Sequence, residues 1–68
     1  MPVIHIHMTA ENGGLSVEKR QELCREITKT FASVVGRGEK SAVVIIDEVS
    51  VDNYAIGGKT IREIRKKS

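Results

Sequence analysis

Residues 42–46, Ala-Val-Val-Ile-Ile, constrain this chain most. An unbroken apolar run rich in β-branched residues reads as a strand covered on both faces, and such strands pair in parallel. A parallel partner requires a crossover between the two strands, usually a helix. Upstream there is one candidate for each part. Residues 2–8 alternate, with Pro2, Ile4, Ile6 and Met8 on one side and Val3, His5, His7 and Thr9 on the other; period two reads as a strand. Between the two lies a single amphipathic stretch. The expected fold is therefore α+β, one right-handed βαβ unit.

The helix is predicted to start at Ser16, whose hydroxyl can cap free N–H groups, with Glu18 at the positive end of the dipole. Leu23, Cys24, Ile27, Phe31, Val34 and Val35 step by three or four, with the stem of Arg20, and form one apolar stripe. Lys19, Glu22, Arg25, Glu26 and Lys29 fall on the other face. Gly36 ends the helix as a left-handed residue. Glu11-Asn12-Gly13-Gly14 is the loop before it. After the second strand, predicted over residues 41–49, comes a polar turn at residues 50–53. The pair Gly57-Gly58 could start a small carboxy-terminal hairpin, though Thr60, Ile61 and Ile64 are too sparse to assign an element after it. Residues 1–68 form one domain on this reading.

Two parallel strands and one helix cannot cover both faces of their own sheet. The chain has 68 residues and one cysteine, Cys24, so no internal disulfide can supplement a small core. Cys24 falls on the apolar stripe and reads as a small buried hydrophobe. A partner copy is the remaining source of cover, and a homo-oligomer is expected. Eleven Lys and Arg against nine Asp and Glu give a net charge of +2, too mild for a nucleic-acid partner. Phe31 and Tyr54 are the two aromatic residues, too few for a base-stacking platform. No apolar run approaches the roughly 18–20 residues of a membrane span. No charged segment leads into an apolar one, so no signal peptide is read. A cytoplasmic setting is expected.

Pro2 follows the initiator Met1 directly. Loss of Met1 would leave a secondary amine at the head of a half-buried strand. An α-amino group titrates near about 7.7–8.0 and is lowered by burial, which suits a general base. The plainer alternative is a proline that opens a strand, where its missing N–H costs no ladder bond. His5 and His7, at i and i+2, could chelate a metal, but with no third acid or thiol beside them in sequence the expectation is no metal and no cofactor. Asp47 and Glu48 should point to opposite faces. Arg62, Arg65, Lys66 and Lys67 make a basic end, in which an arginine could clamp a carboxylate. Tyr54, beside the glycine turn, is either a core aromatic or a pocket wall.

Taken in order, Pro2-Val3-Ile4-His5-Ile6-His7, the helix at residues 16–35, Val44-Ile45-Ile46-Asp47-Glu48 and Tyr54-Ala55-Ile56-Gly57-Gly58 resemble the 4-oxalocrotonate tautomerase family over nearly the whole length. The resemblance implies a tautomerase fold whose dimers pack as a hexamer. It implies a keto–enol isomerase without cofactor, acting on substrates such as 2-hydroxymuconate, with Pro2 as amino-terminal base once Met1 is lost. Tyr54 falls on the family's aromatic pocket residue, Thr9 and Ser41 on residues that line the pocket, and Arg65 on a peripheral arginine. Two substrate arginines of the family are absent: Leu15 and Val43 stand in their places. Arg37, Lys59 and Arg62 are further cations that could replace them. The missing pair keeps a second reading open, a binding or assembly module on the same scaffold.

Overall fold

The computed structural model describes residues 1–66. Lys67, expected in the basic end, lies outside them. The order of elements is β1 (Val3–Thr9), α1 (Val17–Val35), β2 (Val43–Val49), β3 (Ala55–Ile56), β4 (Lys59–Thr60) and α2 (Ile61–Lys66). β1 and β2 pair in parallel, from Val3 opposite Val43 to Thr9 opposite Val49. One further bond extends the ladder at each end, from the Val43 N–H to the Pro2 carbonyl and from the Ala10 N–H to the Val49 carbonyl. The βαβ unit and the hairpin β3–β4 around Gly57-Gly58 are those expected.

The α1 boundaries follow local chemistry. The Ser16 hydroxyl accepts from the Lys19 N–H at 3.1 Å. Gly36 closes the helix at φ 85°, its N–H bonded to the Ala32 carbonyl. Leu23, Cys24, Ile27, Thr28, Phe31 and Ala32 are half-buried, as are Pro2, Ile4, Ile6, Met8, Val44, Ile46 and Glu48 of the even sheet face. Val34 and Val35 depart from the predicted stripe, at 82% and 47% exposure. A 3.6-residue period carries Val34 out of the Phe31 row by the last turn, and Val35 lies on the rim of the helix end.

α2 was not expected, because Ile61 and Ile64 alone make too weak a stripe. A capping box drives it instead: the Thr60 hydroxyl accepts from the Glu63 N–H at 3.3 Å and the Glu63 carboxylate accepts from the Thr60 N–H at 3.0 Å. Arg62 pairs with Asp52, which tethers α2 to the turn after β2.

The odd sheet face is open. Val3 and Ile45 are 62% and 43% exposed, and His5, His7 and Asp47 are exposed beside them. β2, apolar on both sides, is thus covered by this chain on one side. No residue among those described reaches full burial. The radius of gyration is 15.3 Å, against about 11 Å for a compact domain of this length. Exposed surface is 5341 Å², against about 4,250 Å² for a compact monomer of this mass. Both excesses are physical signs of surface that one copy leaves uncovered.

Candidate active site

Pro2 stands at the head of β1, where the sheet meets the end of α1. Together with Met1, Phe31, Val35, Arg37, Gly38 and Ser41 it lines a cavity of about 430 Å³. α1 contributes Phe31 and Val35, which make one wall apolar. The turn between α1 and β2 supplies Arg37, Gly38 and Ser41, and the start of the chain supplies Met1 and Pro2. Gly38 is required there: its φ is 96°, and a Cβ built on it would lie 3.0 Å from the Phe31 ring and 3.5 Å from the Pro2 ring. The Gly38 carbonyl accepts from the Ser41 and Ala42 N–H groups at 3.2 and 2.8 Å. This turn fixes Ser41 beside Pro2. Met1 is 92% exposed, and while it is attached the Pro2 nitrogen is an amide without basicity.

Two other expected residues, Thr9 and Arg65, gather at the opposite end of the sheet. Thr9 and Arg65 both donate to Glu11; the Arg65 guanidinium does so in a fork at 2.7 and 2.8 Å. Arg65, then Thr9, hold the Glu11 carboxyl well down, at about 2. Tyr54 is 37% exposed beside the hairpin, and its carbonyl accepts from the Ile61 N–H. Pro2 and Ser41 are thus brought together, whereas Thr9 stands at the far end of β1, about 20 Å away, and Arg65 is held there through Glu11.

The positions of the absent arginines are also placed. Leu15 lies against Lys19, Glu22, Leu23 and Glu26 in a groove on α1, away from Pro2. Val43 pairs with Val3 on the open face. The loop before α1 is held by Glu48, whose carboxylate accepts from the Leu15 N–H at 2.9 Å and from Arg20 Nε at 3.0 Å. Arg20 therefore does more than lend its stem to the stripe.

One expectation changes at His5 and His7. A third acid does stand beside them, because the register sets Asp47 opposite His7. Asp47 Oδ2 is 3.4 Å from His5 Nε2 and 3.6 Å from His7 Nδ1, and the two rings stack at 4.0 Å. The sequence separation of 40 or more residues hid this neighbour. These three are the one set among the described residues whose ligand atoms, all within 4.8 Å of one another, could hold an ion. All three are exposed, and a closed structural site takes four protein ligands. Asp47 and Glu48 do face opposite sides, as their alternation requires.

Residues 2–64 match the family model described as "Tautomerase enzyme". The chain belongs to the tautomerase family. A relative from Helicobacter pylori strain J99, named "Probable tautomerase", is 40% identical over 68 residues, covering 100% of both chains. The 2-hydroxymuconate tautomerase of Bacillus subtilis is 28% identical over 64 residues, 94% of this chain and 98% of its own. The crystal structure of DmpI from Helicobacter pylori superposes with a TM-score of 0.81 at 38% identity, over 90% of this chain and 97% of that one. The tautomerase fold read from the order of short motifs is the fold found. No helix among the described residues is long and apolar enough to cross a membrane.

Proposed function

We propose that this tautomerase interconverts an enol or dienol and its ketone by proton transfer through Pro2 after Met1 is removed. The observation that carries the proposal is the position of Pro2 on the wall of a cavity shared with Phe31, Val35 and Ser41. The free Pro2 amine accepts the enol hydroxyl proton; the resulting ammonium returns a proton to carbon as the C=C electrons move and C–O becomes C=O. Atoms and charge balance without a cofactor. The apolar walls disfavour the charged amine and lower its pKa towards neutrality, where a base transfers protons best.

Ser41 is the hydroxyl nearest in the turn and supplies a hydrogen bond to the bound substrate. Thr9 and Arg65 stand at the far end of β1 from the Pro2 of their own chain; on this reading they and Tyr54 complete the site from a second copy. Packing of copies across the open sheet face, as a hexamer of paired chains in the cytoplasm, covers Val3 and Ile45 and gives the whole of residues 1–68 a shared core. The alternative, a non-catalytic binding or assembly module, is favoured by Leu15 and Val43 in place of the arginine clamp.

The decisive experiment joins intact mass to ultraviolet assays with 2-hydroxymuconate and phenylenolpyruvate. Protein lighter by one Met residue should turn over at least one enol, with a pH profile showing a single basic group near neutrality. Pro2→Ala should lower kcat by about 10²–10⁴-fold, the usual worth of a positioned general base. Turnover equal to that of the Pro2→Ala protein would overturn the proposal and leave the assembly module.

A further inference from the structure

We propose that Arg37 is the carboxylate-binding residue of the Pro2 cavity, and that the substrate is the enol of a 2-oxo monoacid with an apolar tail. The inference rests on the reading of Pro2 as the base and names the substrate class of that same site.

Its first support is the disposition of the arginines. Arg20 is paired with Glu48, Arg62 with Asp52 and Arg65 with Glu11. Arg25 and Arg37 form no ion pair or hydrogen bond among the described residues. Of these two, Arg37 alone lines the cavity with Pro2; Arg25 borders a separate hollow with Cys24 and Thr28. No carboxylate lines the Pro2 cavity. Glu39 and Lys40 border a neighbouring depression with Arg37, yet Glu39 does not pair with it. The guanidinium is therefore available to an incoming anion.

The second support is the backbone. Arg37 sits between two left-handed glycines, Gly36 at φ 85° and Gly38 at φ 96°. Gly38 is pressed against Phe31 and Pro2, so the residue before it is anchored within one peptide of the proline ring. The third is the helix. α1 ends here with no basic residue in its last turn, and its partial negative charge repels anions. A cation beside that end offsets its repulsion of a carboxylate, and Arg37 is the arginine on the cavity wall. A guanidinium can take one carboxylate in a two-pronged bond. One clamp serves one carboxylate. Phe31 and Val35 offer the rest of the substrate an apolar wall, which suits an aryl or alkyl tail.

The test uses the Met1-free protein and two unreactive probes, cinnamate and cinnamamide, titrated calorimetrically. Arg37→Gln should weaken cinnamate by about 10- to 100-fold, the range of a charge-assisted contact. Arg37→Lys should restore much of the loss, Arg25→Gln should change nothing, and cinnamamide should bind all forms alike. In turnover, Arg37→Gln should raise KM for phenylenolpyruvate by a similar factor and leave the methyl ester of that enol within twofold. An unchanged ratio of cinnamate to cinnamamide binding overturns the proposal, even if Arg37→Gln lowers the melting temperature, because that pattern means Arg37 merely balances the helix end. Pro2→Ala separates the two readings. Cinnamate binding that needs Arg37 in a protein whose turnover ignores Pro2 sinks the base and keeps the clamp; Pro2-dependent turnover with binding indifferent to Arg37 does the reverse.

Discussion

The two ends of the β1–β2 sheet use charge in opposite ways. At the carboxy-terminal end, the arginines are ion-paired within the chain: Arg20 with Glu48, Arg65 with Glu11, and Arg62, in the tail beyond β2, with Asp52. At the amino-terminal end, around Pro2, apolar walls meet one unpaired arginine and no acid. A paired cation holds its neighbour in place, whereas one left unpaired on a cavity wall stays open to an anion.

The contrast can be broken from either end. After loss of turnover in Pro2→Ala, the largest effect is expected at Glu48. Its side chain is only 11% exposed and serves both Arg20 and the Leu15 N–H. Glu48→Ala leaves that N–H without its partner and should cost about 1–3 kcal/mol by denaturant unfolding, with the loop before α1 losing amide protection first. Substrate affinity per folded molecule should stay near wild type. A loss of affinity larger than the loss of stability would mean that the two ends are coupled. Gly38→Ala attacks the other end. The new methyl meets the Phe31 ring at 3.0 Å on a backbone at φ 96°, for about 1–2 kcal/mol of strain. Its signature should be a fall in kcat/KM of at least tenfold, read beside a modest shift in the unfolding midpoint. Unaltered kinetics would place the chemistry elsewhere.

The structural end was less legible in the sequence than the fold. Period-two alternation, the Ser16 cap and Gly36 fixed β1, α1 and their connection, because those signals are local. α2 was local too, yet its cue was polar: Thr60-Ile61-Arg62-Glu63 is a capping box, and hydrophobic spacing alone overlooks it. Asp47 beside His5 and His7 depends on the parallel register, and the Glu11–Arg65 fork joins residues 54 apart; neither distance has a signature along the chain. Pro2 and Ser41 could be named from motif order. Their grouping with Phe31 and Arg37 could not, since it depends on where the helix end lands on the sheet. Val34 shows the limit of a stripe: the spacing placed it inside, and the last turn rotated it into solvent.

The smallest expected effect lies at Glu11, and it gives the sharpest test of what pairing does at the structural end. Arg65 and Thr9 depress its carboxyl from 4.5 to about 2. A depressed carboxylate stabilises the fold above its unfolded value, and the contribution disappears as pH falls through the folded value. The ion pair should therefore act fully above about pH 5 and fade between about 4.5 and 2, the window set by those two values. Glu11→Gln should melt slightly below wild type at pH 7, and the gap should close by pH 2. Both side chains are exposed, so the gap should also shrink between 0.05 and 0.5 M salt, roughly as screening shortens the Debye length. A gap that persists at pH 2, or that ignores salt, would assign the contribution of Glu11 to packing of its stem and its turn with Gly14. The carboxy-terminal end would then be held by shape, and the contrast with the Pro2 end would concern packing more than charge.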